Sequence, residues 1–159
     1  MSAVVIVDYG IGNIKSVQRG LERIGSTAVL SFDPDEIINA DRVILPGVGA
    51  FEDGMMGLKQ LGLDDAIYQF CSKGNPLLGI CLGMQMLLQQ SEEFGIHQGL
   101  SLIDGTVNKI PQTEDGFFKR KIPHIGWSAL KRPQQQDWNN SCLKDIEEGE
   151  FFYFVHSFS

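Results

Sequence analysis

The sequence predicts an α/β protein with a doubly wound, mostly parallel sheet flanked by helices. Short β-branched runs alternate, through the first half of the chain, with longer segments whose apolar residues recur at helical spacing. The first run, residues 3–7 (AVVIV), is continuously apolar, as expected of a parallel strand buried on both faces. A length of 159 residues with 43% hydrophobic residues predicts a single domain, residues 1–159, with a sizeable core.

Strands and helices alternate in a fixed order up to about residue 90. The predicted strands are residues 3–7, 27–31, 42–45 and 76–80. The predicted helices are residues 13–24, a helical turn that Asp33 and Pro34 begin, and residues 51–61, 63–71 and 82–90. This β-α-β-α order predicts a parallel sheet with right-handed crossovers.

The second half of the chain has a different texture, in which Gly and Pro separate short pieces. Residues 105–110 and 122–130 read as strands, and the polar residues 131–140 read as a mobile loop. Residues 151–159 (FFYFVHSFS) read as a buried strand that stops without a cap or a polar tail. We therefore expect the native gene product to continue past Ser159, so that the domain is incomplete at its C-terminus.

Composition and charge exclude several classes of function. A net charge of −7 with no basic stripe argues against nucleic acid as a partner. No apolar run reaches the roughly 18 residues that span a bilayer, and the N-terminus reads as a strand and not as a signal peptide. The three cysteines do not have the regular spacing of a disulfide framework, so we predict reduced thiols in the cytoplasm. The three histidines lie far apart and no CxxC or HExxH occurs, so no metal site is predicted.

Cys81 lies between Gly79 and Gly83 where the fourth strand meets a helix. The pattern G-x-C-x-G is the cysteine counterpart of the nucleophile elbow, a turn so tight that neighbouring side chains would collide. Such a turn raises the sulfur above the sheet edge, where helix amides favour the thiolate, and the Leu82 amide can hold an oxyanion. The alternative is a buried packing cysteine. Cys71 and Cys142 have no such setting, and we interpret both as packing residues.

A second glycine-rich turn follows the third strand. Residues 46–49 (PGVG) occupy the place from which elbow enzymes supply the other oxyanion donor. A simple strand-to-helix turn is the alternative, although it explains one glycine better than two. In a doubly wound sheet, strands three and four can lie side by side, and the ligand crevice is expected at their carboxyl ends.

Five motifs together resemble one protein family over essentially the whole chain. They are DYGIGN (residues 8–13), LPGVGAF (45–51), GICLGMQ (79–85), PHIGW (123–127) and FVHSF (154–158). In this order they are similar to the glutaminase subunit of imidazole glycerol phosphate synthase, a class I, triad-type glutamine amidotransferase of histidine biosynthesis. The resemblance implies an enzyme that needs no cofactor and takes glutamine as its substrate.

The resemblance also implies roles for individual residues. Cys81 matches the nucleophile that attacks the glutamine carboxamide, and the backbone amides of Val48, Gly49 and Leu82 match the oxyanion hole. The implied contacts with the substrate glutamine are Gln85, Glu93 for its α-amino group, and the backbone of Ser157. Gln85 has a packing role as its alternative, and Glu93 could belong to a solvated acidic face.

A partner is implied as well. In this family the ammonia passes into a (β/α)₈-barrel cyclase that forms a heterodimer with the glutaminase. Asn13 in DYGIGN and Trp127 in PHIGW are the residues expected to face it. A core tryptophan with a satisfied N–H is the alternative reading of Trp127.

One part of the family pattern is absent from the sequence. The family's general base and orienting acid lie in a His-Pro-Glu segment beyond FVHSF, and no such segment occurs in these 159 residues. His124 and His156 match other positions, and neither has a carboxylate two residues later. We therefore expect the 159 residues alone to be inactive and less stable than an intact subunit.

Three other functions remain open from the sequence. Residues 9–12 loosely resemble a dinucleotide-binding loop, but Lys15 stands at the third glycine position. A redox protein or silent scaffold would use Cys81 for sulfenic acid chemistry and ignore glutamine analogues. A paralogous amidotransferase would deliver ammonia to a sugar-amidating synthetase instead of the cyclase.

Overall fold

The computed structural model describes residues 3–114, 118–119, 121–133, 137–139 and 141–159. The chain divides into two compact units, Met1–Asn108 and Lys109–Ser159. The single domain over residues 1–159 stays a prediction.

The first unit contains the alternating strands and helices that the periodicity predicts. Its first four strands are β1 (Val4–Val7), β2 (Ala28–Ser31), β3 (Val43–Gly47) and β4 (Leu77–Cys81). Its helices are α1 (Ile14–Arg23), α2 (Pro34–Ile38), α3 (Phe51–Gln60), α4 (Leu63–Ser72) and α5 (Leu82–Gln85). Asp33 caps α2 as expected, since its carboxylate accepts a 2.9 Å hydrogen bond from the Asp35 amide.

The four strands form one parallel sheet in the order β2-β1-β3-β4. This confirms the predicted fold class. Strands β3 and β4 are neighbours along their whole length, and their register ends with Gly47 opposite Cys81. The carboxyl ends of the third and fourth strands therefore lie side by side, as the sequence predicts.

Helices cover both faces of this sheet. Successive strand residues face opposite sides, so Val4 and Ile6 belong to one face, where they pack with Ile44 against apolar residues of α1. On the other face Val7 and Leu45 are fully buried. The largest fully buried side chains from the helices are Ile37, Phe51, Leu58, Leu63, Ile67, Phe70 and Leu82.

The helix predicted over residues 82–90 is wrong beyond Gln85. A second, three-stranded sheet follows instead, made of β5 (Leu88–Ser91), β6 (His97–Gln98) and β7 (Ile103–Val107). Tertiary pairing overrides the local helical pattern, because β5 pairs in parallel with β7 and the Leu88 carbonyl accepts a bond from the Ser101 amide. Gly99 makes this possible, since a Cβ there would contact the Leu88 carbonyl oxygen.

The second unit is built on an antiparallel ribbon of β10 (His124–Ala129) and β11 (Phe151–His156). A short pair, β8 (Thr113–Glu114) and β9 (Phe118–Lys119), precedes it. The strand predicted at residues 151–159 is confirmed over Phe151–His156, but its predicted burial is wrong, because Phe151, Tyr153 and Val155 are exposed. A two-stranded ribbon cannot bury both of its own faces.

The polar segment after β10 is irregular where it is described. Residues 131–133 and 137–139 contain no helix or strand, and residues 134–136 and 140 lie outside the described residues. Trp138 is buried, and the Arg132 guanidinium lies 5.1 Å from the centre of its ring. In the described ranges, no helix is long and apolar enough to cross a membrane. The same ranges hold no cluster of His, Cys, Asp or Glu able to bind a metal ion.

Candidate active site

Cys81 is the last residue of β4 and immediately precedes α5. Its backbone has φ 56° and ψ −119°, a left-handed conformation that a side-chain-bearing residue adopts only under strain. Its side chain is exposed. The predicted sharp turn, with the sulfur presented at the carboxyl edge of the sheet, is therefore present.

The glycines around Cys81 are required by space. A Cβ on Gly79 would lie 2.5 Å from the Met84 Cα and 2.7 Å from the Met84 nitrogen, and one on Gly83 would contact the Leu45 carbonyl oxygen. Gly47 lies opposite, where a Cβ would be 2.9 Å from the Gly83 amide nitrogen. These are backbone atoms that cannot rotate away, so the steric reason for the G-x-C-x-G pattern is confirmed.

The helix after the elbow is shorter than predicted. Helix α5 contains four residues, Leu82–Gln85, where residues 82–90 were expected. A single turn carries only a small dipole, so the dipole effect expected of the longer helix has little support. What the fold supplies here is position, because the buried Leu82 holds the start of the helix in the core.

The predicted oxyanion segment begins at the end of β3, directly opposite Cys81. Gly47 is buried, whereas Val48 and Gly49 are exposed. Gly49 has φ 102°, a conformation suited to glycine, and a Cβ there would meet nothing within 4 Å. The structure therefore brings Val48 and Gly49 to the same sheet edge as Cys81 and Leu82.

Gln85 and Glu93 belong to this unit as well. Gln85 is half-buried at the end of α5. Glu93 is not part of a solvated acidic face, because its Oε2 accepts a 2.9 Å hydrogen bond from the Phe51 amide at the start of α3. Its own amide donates to Ser91 Oγ at 3.1 Å. The carboxylate is thus fixed beside the segment that follows Gly49, and its contact with substrate stays a prediction.

Tyr9 lies in this region and was not singled out from the sequence. It follows β1 in the DYG motif and is buried, and its hydroxyl donates a 2.8 Å hydrogen bond to the Pro46 carbonyl. Burial, and next the proximity of Cys81, raise its pKa far above the ordinary value. The feature of the sequence that could have pointed to Tyr9 is its position at the end of the first strand, which can lie beside the third strand in a doubly wound sheet.

Asn13 and Trp127 are both at the surface. Asn13 is exposed at the N-cap position of α1. Trp127 is 69% exposed, which excludes the alternative reading of a core tryptophan. Its ring packs edge to face on Tyr153 across the ribbon, with ring centres 5.7 Å apart.

Ser157 lies in the second unit, just after β11. Its carbonyl accepts a 2.9 Å hydrogen bond from the Ile110 amide. Its place in a glutamine pocket stays a prediction.

The histidines of the second unit form a cross-strand chain. His124 Nδ1 lies 3.1 Å from His156 Nε2, His124 Nε2 lies 3.2 Å from Ser128 Oγ, and His156 Nδ1 lies 3.0 Å from the Phe158 carbonyl oxygen. All four ring nitrogens are engaged by partners other than a carboxylate. This agrees with the expectation that neither is the base of a triad.

The first unit contains one histidine, His97. Its Nδ1 lies 3.6 Å from Glu52 Oε1, and its Nε2 is buried. No metal or cofactor role follows from it.

The two remaining cysteines differ from each other. Cys71 is half-buried on α4, and burial raises the pKa of its thiol, in agreement with a packing residue. Cys142 is exposed, so its prediction as a packing residue is wrong. It follows Ser141, whose hydroxyl donates to the Trp138 carbonyl in an irregular turn that leaves the thiol outside the core. Only Cys81 combines exposure with a strained backbone.

Comparison with known proteins gives a consistent result. The family model for class I glutamine amidotransferases matches residues 5–159. The chain is 50% identical over 159 residues to imidazole glycerol phosphate synthase subunit HisH 1 of Legionella pneumophila (strain Paris), and the match covers 99% of this chain and 75% of that one. The subunits HisH of Geobacter sulfurreducens and Methanosarcina acetivorans are 42% and 45% identical, and the matches cover 74% and 73% of them.

Solved structures agree at the level of the fold. A crystal structure of a glutamine amidotransferase superposes with a TM-score of 0.67 at 16% identity, and the match covers 96% of this chain and 71% of that one. At this identity the likeness concerns the α/β architecture alone.

Proposed function

Because this chain belongs to the class I glutamine amidotransferases and, among them, to the glutaminase subunits of imidazole glycerol phosphate synthase, we propose that Cys81 is the nucleophile that releases ammonia from glutamine. Glutamine hydrolysis within that synthase, in histidine biosynthesis, is the function of the chain. The observation that supports Cys81 is its strained, exposed elbow at the tip of β4, opposite Gly47.

The proposed reaction begins at this elbow. The Cys81 sulfur attacks the carboxamide carbon of glutamine, and the carbonyl electrons move to oxygen as an oxyanion. The Leu82 amide, with those of Val48 and Gly49, donates hydrogen bonds to that oxygen. When the oxyanion collapses, the C–N bond breaks, and the nitrogen leaves as ammonia after gaining the proton that the Cys81 thiol gave up on attack. Water then hydrolyses the γ-glutamyl thioester, which releases glutamate and restores the thiol.

Three residues bind the substrate in this proposal. Gln85 contacts glutamine from the end of α5, one turn after the nucleophile. The Glu93 carboxylate pairs with the α-ammonium group, since a fixed carboxylate makes strong charge-assisted hydrogen bonds. The backbone of Ser157 is the third proposed contact with glutamine.

We further propose that the ammonia goes to a (β/α)₈-barrel cyclase bound as a heterodimer. The relatives are subunits of a synthase, which implies a second polypeptide. One face of the β10–β11 ribbon is suited to it, because alternate residues of both strands place apolar side chains there in register. The exposed members of this face are Ile125, Trp127, Phe151, Tyr153 and Val155. Asn13 would contribute from α1.

The thiols bear on where the protein works. All three cysteines are free. We propose that the complex works in the cytoplasm, where such thiols stay reduced.

Glutamate release by the full-length gene product tests the proposal, with the cyclase and its ribotide substrate present. Cys81→Ser should lower the rate about a thousandfold or more, because a hydroxyl without an activating setting is a poor nucleophile. Cys142→Ser, at an exposed thiol outside the site, is the matched control and should keep the parent rate. Full activity of Cys81→Ser would reject the proposal. Activity only with a sugar-amidating synthetase in place of the cyclase would reject the partner but keep the nucleophile.

A further inference from the structure

We propose that the buried hydroxyl of Tyr9 is a positioning group for the oxyanion hole. It fixes the main chain just before Val48 and Gly49, whose amides are the proposed donors to the oxyanion. This inference rests on the proposed function of that segment. Tyr9 is 4% exposed, so its hydroxyl acts from within the packed fold. Its hydroxyl donates to the Pro46 carbonyl at 2.8 Å, across 37 positions of sequence.

On one side β3 pairs with β4 as far as Gly47, but on its β1 side the segment lacks main-chain bonds and needs such an anchor. The β1–β3 ladder pairs Val5 with Val43 and Ile6 with Ile44 and stops there. Beyond it, Pro46 has no N–H to donate, and Gly47 and Gly49 place few limits on the backbone. The Tyr9 side chain therefore supplies a hydrogen bond to β3 where main-chain pairing with β1 has ended.

Close packing holds the Tyr9 ring in place. A Cβ on Gly57 of α3 would lie 3.1 Å from the Tyr9 ring, so glycine at this position lets the helix pack closely on the ring. A Cβ on Gly47 would lie 2.6 Å from the Tyr9 hydroxyl oxygen. The ring is thus fixed between α3 and the end of β3, and its hydroxyl has little freedom to leave the Pro46 carbonyl.

The segment has a second anchor at its other end. The Phe51 amide donates to Glu93 Oε2 at 2.9 Å, which fixes the start of α3. Between the two anchors lie Gly47, Val48, Gly49 and Ala50, and among these Val48 and Gly49 are exposed. Donors of an oxyanion hole work only when they are held in place before the reaction, and a displacement of about 1 Å can cost on the order of a hundredfold in rate.

The test compares Tyr9→Phe with Tyr68→Phe in the full-length gene product with its cyclase. Phe keeps the ring and removes the hydroxyl, and Tyr68, 59% exposed on α4, is the matched control. Tyr9→Phe should lower kcat for glutamine hydrolysis by about 10- to 100-fold and change KM by less than about threefold. Tyr68→Phe should change neither. An unchanged kcat in Tyr9→Phe would overturn the proposal.

Backbone amide NMR separates positioning from other causes and does not depend on activity. In Tyr9→Phe, the amide signals of Val48 and Gly49 should shift or broaden and exchange faster with solvent, while that of Gln85 stays unchanged. Unchanged amides would overturn the proposal even if kcat fell. If the parent protein released no glutamate but these amides still responded, the proposed function would fail and the anchor would stand.

If Tyr9→Phe did not fold, the parent protein still gives an answer. A Tyr9 hydroxyl proton that exchanges slowly and shows a cross-peak to the Gly47 α-protons supports the anchor. A freely exchanging hydroxyl without that cross-peak overturns it.

Discussion

Gly79→Ala is the substitution for which the structure gives the sharpest expectation. The added Cβ would lie 2.5 Å from the Met84 Cα, 2.7 Å from the Met84 nitrogen and 2.9 Å from the Gly83 carbonyl oxygen. All three are backbone atoms at the elbow, so relief requires the start of α5 to move away from β4. The φ of Gly79 is not in the left-handed region, so the expected cost comes from this overlap alone.

The loss of stability in Gly79→Ala can be given a magnitude. Overpacking a rigid site costs about 1–3 kcal/mol of unfolding free energy. In a protein of this size each kcal/mol corresponds to about 2–4 °C, so Gly79→Ala should lower the thermal midpoint by about 2–12 °C. The displacement of the elbow should also slow alkylation of Cys81 by iodoacetamide relative to the exposed Cys142 in the same molecule.

Gly20→Ala is the matched control for this substitution. Gly20 lies in α1, where a Cβ would meet nothing within 4 Å. This variant should therefore gain about 0.5–1 kcal/mol, because alanine restricts the unfolded chain and favours helix. Circular dichroism melts and urea titrations give both values. If Gly79→Ala unfolded within about 0.5 kcal/mol of the parent and Cys81 kept its alkylation rate, the reasoning about the tight turn would be refuted.

The remaining predictions concern substrate, partner and pH. Glu93→Gln should raise the KM for glutamine about tenfold or more, because the charge that pairs with the α-ammonium group is lost. The thermal midpoint should change little, since the amide oxygen of the new side chain can still accept a hydrogen bond from the Phe51 N–H. An unchanged KM would contradict the role of Glu93 in binding. Trp127→Ala should leave the melting curve unchanged, since the ring is exposed. It should weaken cyclase binding by about 2 kcal/mol or more, which is about 30-fold in the dissociation constant, in calorimetric titration. Equal affinity of the variant and the parent would show that Trp127 is not part of the interface. Burial raises the pKa of Tyr9, so the folded chain holds this proton more tightly than the unfolded chain, and the resulting stability is full below pH of about 10 and is lost above it. Tyr9→Phe should thus lose less stability than the parent between pH 9 and 11 in urea titrations, and an equal loss would argue against a buried, protonated Tyr9.

The first half of the fold follows from local pattern. Apolar runs and helical spacing place β1–β4 and α1–α4 correctly because the parallel sheet buries those strands and each helix packs one apolar face. The exchange of helix for strand after Gln85 does not follow from them. Leu88 pairs with Ile103, and a local sequence pattern does not indicate a partner strand that lies so far along the chain.

The candidate site also has one part that the local sequence predicts and one part that only the folded chain brings together. Cys81 with Gly79 and Gly83 is predictable, because a tight turn imposes its needs on adjacent residues. The bond from Tyr9 to Pro46 and the bond from Phe51 to Glu93 span 37 and 42 positions, so only the folded sheet brings these groups together. Burial of residues 151–156 was overestimated for a related reason, since an apolar strand does not by itself indicate what covers it.

The central claim is that Cys81 is the nucleophile for glutamine. It is tested most directly by treating the full-length gene product with 6-diazo-5-oxo-L-norleucine, a glutamine analogue whose diazoketone alkylates an active nucleophile, and then mapping the adduct by peptide mass spectrometry. The account predicts one adduct, on Cys81, that excess glutamine prevents. An adduct on Cys71 or Cys142 with Cys81 unmodified, or labelling that glutamine does not reduce, would contradict it.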